Sequence, residues 1–220
     1  MPVLLAVVGA APAVGKSTLT RALRDWLRDR GHDVDHVEED EILTRPAFAP
    51  LARELAVRES VALETLVVTV TDVVTAAGDD EQAVLLFDSL FPFVSSLAQW
   101  GYGKHRIAGF FDEIVARLGD TRIIVVYLDA DIDQALRNAE LREPPGWLEW
   151  YLDDLAHSSP ATGTPRELAV DRLAQDRELT LQLVDERRWI LLRVPNCDLL
   201  SVDQVFARAC DELETVLAQA

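Results

Sequence analysis

The feature that most narrows the fold is an alternation along the chain. Five short, largely apolar runs, at residues 3–8, 33–37, 83–87, 122–128 and 189–194, are separated by longer stretches in which apolar residues recur every three or four positions. Short continuous apolar runs are the mark of strands buried on both faces, and the intervening helical periodicity supplies the layers that bury them. The pattern predicts an α/β domain built on a five-stranded parallel sheet with helices on both sides. Helices are predicted over 17–30, as two segments within 47–77, and over 107–118, 132–141, 147–155, 165–187 and 202–218. The run 63–74 is rich in Val and Thr, but its length and its three-and-four spacing favour helix over strand. Gly78-Asp79-Asp80 reads as a turn, and residues 157–166 (HSSPATGTPR) are the one linker-like stretch.

The first run leads into Val7-Val8-Gly9-Ala10-Ala11-Pro12-Ala13-Val14-Gly15-Lys16-Ser17-Thr18. A strand, a tight turn and then a helix leave the helix's first N–H groups and its positive dipole end aimed at whatever sits above the turn, and an anion fits there. Gly15 permits close backbone approach, Lys16 can bridge the β- and γ-phosphates of a nucleotide, and Ser17 can ligate Mg²⁺, with Thr18 beside it. Ala10 stands where the usual form of such a loop has its first glycine, and the nearby Gly9 sits one residue early. The expected nucleotide-binding set is Ala10, Ala13, Val14, Gly15, Lys16, Ser17 and Thr18. Of only two lysines in the chain, Lys16 and Lys104, one lies in this loop.

Together with the acidic end of the second strand, the sequence "AAPAVGKST" after the first strand resembles the P-loop kinases of the nucleoside, nucleotide and small-metabolite group, including shikimate-kinase-like enzymes. The likeness covers the whole chain at the level of layout, whereas its specific matches are the loop and a few acidic or arginine positions. It implies a P-loop NTPase fold with strand order 2-3-1-4-5 and a helical lid at about 137–165, ATP and Mg²⁺ as cofactors, and an acceptor held between the lid and the 40–75 region.

The other candidate positions follow the chemistry of phosphoryl transfer, which needs positioning and charge stabilisation. Glu38-Glu39-Asp40-Glu41 lies at the carboxyl end of a strand, where ligands of open α/β sheets bind. The resemblance favours Asp40 as the group that orients an acceptor hydroxyl, with Glu39 next. Asp88 ends the run Ala83-Val84-Leu85-Leu86-Phe87 and is the expected second Mg²⁺ group with Ser17, while Ser89 and residues 91–93 are candidates for the acceptor side. Arg142 and Arg137 straddle the helix break before Pro144-Pro145 and are the expected lid arginines, Arg142 the better placed. Trp147, Trp150 and Tyr151 form an aromatic patch that either packs or stacks on a planar acceptor. Arg45, and Lys104-His105-Arg106 after Gly101-Tyr102-Gly103, are basic spots that either meet an anionic acceptor or lie on the surface.

The formal net charge is −17 over 220 residues, which repels polyanions and argues against nucleic acid or an anionic membrane surface as partner. No apolar stretch reaches the roughly 18 residues of a membrane span, and the start shows no basic leader, so a cytoplasmic location is expected. Cys197 and Cys210 are expected to be reduced. The four histidines lack metal-ligand spacing, and no zinc site is expected. The expected partner is a small-molecule acceptor, with a homodimer left open. The function expected is an ATP-dependent phosphotransferase acting on a nucleoside-like, sugar-like or antibiotic hydroxyl; the alternative is a regulatory NTP-binding switch working with a protein partner, although no Asn-Lys-x-Asp motif is present. Because residues 40–110 offer only Arg45, Arg53, Arg58 and Arg106, an uncharged or nucleoside-like acceptor is favoured over a nucleoside monophosphate.

Overall fold

A computed structural model describes residues 2–9, 11–77, 83–89, 91, 93–157 and 162–218. Five parallel strands, β1 (Val3–Gly9), β2 (Asp33–Val37), β3 (Ala83–Asp88), β4 (Arg122–Asp129) and β5 (Ile190–Pro195), form one sheet in the order β2-β3-β1-β4-β5. The central strand β1 is apolar throughout because both of its faces are covered. Val3, Leu5 and Val7 point into one core, and Leu4, Ala6 and Val8 into the other. At the edge, β2 reads Asp-Val-Asp-His-Val and buries only Val34 and Val37, as a strand with one free side requires.

Helices α1 (Lys16–Asp29) and α9 (Val202–Leu217) cover the first face through Leu19, Leu23, Leu27, Ala209 and Leu213. The second face carries α2 (Ala49–Arg58), α3 (Leu63–Ala76), α4 (Val94–Gln99), α5 (Lys104–Leu118), α6 (Ile132–Arg142), α7 (Trp147–His157) and α8 (Pro165–Glu186). The Val- and Thr-rich α3 is a helix because Leu63, Leu66, Val67, Val70, Val73 and Val74 form a single buried seam at helical spacing. That burial outweighs the β preference of its residues. Asp131, Thr164 and Ser201 each cap a helix through a side-chain oxygen, and Thr164 and Ser201 do so as reciprocal capping boxes.

One local expectation changes. α5 begins at Lys104, three residues earlier than the apolar spacing implied, so Lys104-His105-Arg106 is an exposed first helical turn and not a flexible basic spot. The stretch after β3 contains the short helix α4, which brings Val94 and Leu97 into the core. The turn at 78–80 lies outside the described residues, as does 158–161 within the expected lid. No helix among the described residues is long and apolar enough to cross a membrane.

Candidate functional site

Because the strands are parallel, β1, β2, β3 and β4 all deliver their carboxyl ends to one edge of the sheet, and the residues that follow them line that edge. The loop after β1 sets the geometry. Gly15 sits at the amino end of α1 with φ 94°, and Ala13 also takes the left-handed conformation, at φ 59°. No side chain caps α1 and no acidic residue occupies its first turn, so its leading N–H groups are open to an anion. Gly9 is needed for space: a Cβ there would lie 2.6 Å from Val14 Cγ2 and 3.0 Å from the Leu128 carbonyl oxygen. The early glycine therefore serves the packing of the loop against β4. Ala10 lies outside the described residues.

The Lys16 ammonium donates to the Ala11 carbonyl at 3.0 Å, folding back across the loop. Burial lowers its pKa, the nearby Glu39 and Asp88 carboxylates oppose that shift, and Arg142 adds to it. These four charged groups thus share one electrostatic neighbourhood. Asp88 is 2% exposed and accepts a hydrogen bond from Ser89 Oγ at 3.0 Å. Its register opposite Val7 of β1 places it beside the loop.

The acidic run after β2 divides its labour. Glu38 caps the 3-10 turn Glu39–Leu43, accepts from Arg21 at 3.1 Å, and donates its own N–H to Glu41 Oε2 at 2.9 Å. Glu39 and Asp40 are both exposed to solvent, but Glu39 lines the cavity described below and Asp40 lies outside it. Burial raises the Glu39 pKa, with Asp88 and Asp40 adding to the rise and Lys16 and a Ser89 hydrogen bond opposing it.

Two hollows flank the loop. The first is a cavity of about 390 Å³ reaching from Gly15, Lys16 and Ser17 past Glu39 and Arg142 to α4, α7 and α8. Arg142 reaches this wall with its side chain 62% exposed and its Nε 2.8 Å from Glu143. Arg137 instead pairs with Asp133 at 2.6 Å on the surface, away from the cavity. Ser89 and Phe93 line the cavity. Trp147 and Tyr151 do so as well, whereas Trp150 is exposed. Arg45 is held by Asp35, and Arg106 rests over the Tyr102 ring; neither reaches the cavity.

The second hollow, of about 210 Å³, shares Ala13, Gly15 and Thr18 with the first and runs between α1, α6 and the start of α9. Leu19, Ala22, Ala135, Leu200, Val205 and Phe206 make it largely apolar, with Asn138 and Asp198 as polar points. The sequence marks α9 only as a helix and gives no sign that Val202, Val205 and Phe206 line a hollow. Asp176 of α8 also escaped the sequence reading, since a charged residue four from an arginine on a long helix looks like an ordinary surface pair. No protein-family model matches the chain, and no curated protein matches it.

Proposed function

We propose that this chain is an ATP-dependent phosphotransferase with a P-loop NTPase fold, moving the γ-phosphoryl group of MgATP to the hydroxyl of a small molecule. The observation that carries the reading is the placement of Lys16, Ser17, Glu39 and Arg142 around one cavity at the amino end of α1. In this reading the leading N–H groups of α1 and the Lys16 ammonium hold the phosphates, and the apolar hollow beside Thr18 takes the nucleotide base. Hard oxygen donors suit Mg²⁺, and the Ser17 hydroxyl together with the buried Asp88 carboxylate fits it as a partial set completed by phosphate and water. When bound, Mg²⁺ offsets charge on the phosphates.

The remaining work falls to the chain's own side chains. The acceptor oxygen bonds to the γ-phosphorus while the bond from that phosphorus to the β–γ bridging oxygen breaks, and ADP leaves with the electron pair. The acceptor proton passes to Glu39, whose raised pKa makes it a better proton acceptor than an ordinary carboxylate. Lys16 and Arg142 offset the negative charge on the transferring group. The test is ADP formation from MgATP across pooled nucleosides, nucleoside monophosphates, sugars and hydroxyl-bearing antibiotics. Stimulation by one pool supports the reading. Nucleotide turnover that responds only to a protein partner would replace it with a switch.

A further inference from the structure

The end of the cavity away from the loop narrows the choice of acceptor. Its wall is made by α4, α7 and α8. Asp176 on α8 lines it with only 5% exposure, its Oδ1 3.1 Å from Arg172 Nε, and Ser95 also hydrogen-bonds it. Trp147 and Tyr151, one turn apart on α7, stack on each other with centroids 4.9 Å apart and planes 10° apart, and both line the same wall. Ser96 and Gln99 complete it with neutral polar groups, Gln99 donating to Asp154.

The charges at this end differ from those at the loop. Lys16 and Arg142 belong to the phosphate end. Burial pushes the Tyr151 phenol's pKa up, and three carboxylates around it, Asp176, Asp154 and Glu39, add to the rise. Arg172 is already paired with Asp176. A phosphate carried by the acceptor would enter among carboxylates, whereas a ring N–H or amino group would find an acceptor in Asp176. A flat ring would also find an aromatic face to lie against. The volume of about 390 Å³ must hold the transferring phosphoryl group as well, which limits the acceptor to a small molecule.

Resting on the phosphotransferase reading, we propose that the acceptor is an uncharged alcohol of nucleoside size, with its planar ring against the Trp147–Tyr151 pair and a ring N–H or amino donor on Asp176. Acceptors that already carry a phosphate are rejected.

The experiment is calorimetric titration of the full chain with adenosine, guanosine, cytidine and thymidine, and with their 5′-monophosphates. Each titration is done with and without a non-hydrolysable MgATP analogue, alongside ADP formation from MgATP. At least one nucleoside is expected to bind and be phosphorylated, with its monophosphate at least tenfold weaker. Trp147→Leu is expected to weaken that nucleoside about tenfold and leave the MgATP analogue unchanged. Asp176→Asn should weaken it further; if this variant does not fold, the Trp147→Leu and monophosphate comparisons still decide. A monophosphate that binds more tightly than its nucleoside overturns the proposal. So does a Trp147→Leu variant with unchanged nucleoside affinity, or ADP formation driven only by a sugar. Nucleoside binding without ADP formation under any acceptor sinks the phosphotransferase reading itself, and the acceptor assignment with it.

Discussion

On one side of the Gly15–Ser17 loop the walls are Leu19, Ala22, Ala135, Val205 and Phe206; on the other they are Lys16, Glu39, Arg142, Tyr151 and Asp176. The apolar side gains by excluding water from whatever enters it, with little demand on orientation. The polar side gains only when each buried group keeps or finds a partner, because an unpaired one costs more than a typical bond returns. Its groups accordingly hold one another when nothing else is bound: Lys16 donates to Ala11, Asp88 receives Ser89, and Asp176 holds Arg172. On the proposed reading, affinity for the donor nucleotide rests on the apolar hollow, and choice of acceptor and chemistry on the polar cavity.

The largest expected effect comes from Lys16, in the loop between the two hollows. Lys16→Ala should lower phosphoryl transfer about 10²–10³-fold, the loss seen when one preorganised charge donor is removed. The ammonium is desolvated and makes one hydrogen bond to the loop, so thermal melting should barely move. Transfer at the wild-type rate would remove the loop from the chemistry and leave the two hollows unconnected.

Glu39→Gln confines the damage to the polar side. Transfer should fall about 10²-fold or more with nucleotide affinity unchanged, as expected for loss of a proton acceptor. In the wild type, activity should fall in acid with a midpoint above the ordinary carboxylate range, because the Glu39 pKa is raised and only its ionised form accepts a proton. The alkaline limb should sit below the ordinary lysine range, because burial lowers the Lys16 pKa. The variant should lose the acid limb. Linkage adds a stability readout. A carboxyl whose folded pKa exceeds its unfolded one contributes stability below the unfolded pKa, and that contribution is lost as pH rises through the folded pKa. Glu39 is exposed, so solvent screens most of this effect; the Gln variant should melt no lower than wild type at neutral pH, and any small gain should vanish below the ordinary glutamate range. An unchanged acid limb would pass the role to another carboxylate.

The apolar side can be filled without touching the other. Ala22 lies on α1 and lines the groove while only partly buried. Ala22→Leu keeps helix propensity close to the original and adds bulk where a base would lie. Nucleotide affinity should drop about tenfold, with acceptor binding and melting unchanged, as measured by calorimetry. A matching loss of acceptor affinity would show that the two hollows act as one.

How much of this the sequence revealed varies with how locally each feature is encoded. The five strands and α3 were legible because burial on known faces writes itself as periodicity. The strand order was implied by resemblance, since nothing local in a strand names its neighbour. α5 hid its start because Lys104, His105 and Arg106 are poor residues for the positive end of a helix. Gly9 was visible but its purpose was not, because the atoms it must clear belong to Val14 and to Leu128 in another strand. The acidic run after β2 offered four similar carboxylates; the cap formed by Glu38 and Glu41 decides that Glu39, not Asp40, lines the cavity. Asp176 was missed because its significance lies in what α8 packs against, not in its own spacing.

Arg142 and Arg137 give the smallest effect and the finest test of that last point. The sequence offers both and favours Arg142, which sits at the helix break, over Arg137, just over a turn before it. The fold puts Arg142 on the cavity wall near Lys16 and leaves Arg137 in an exposed pair with Asp133. Arg142→Gln should slow transfer about tenfold or more, while Arg137→Gln should leave it unchanged and cost about 0.3–0.5 kcal/mol of stability, the worth of an exposed i,i+4 pair. Both are read from steady-state rates and denaturant midpoints. Equal losses of activity would mean that α6 itself rearranges when nucleotide binds and brings Arg137 to the phosphates. The polar hollow would then be completed by occupancy, whereas the apolar one is already built.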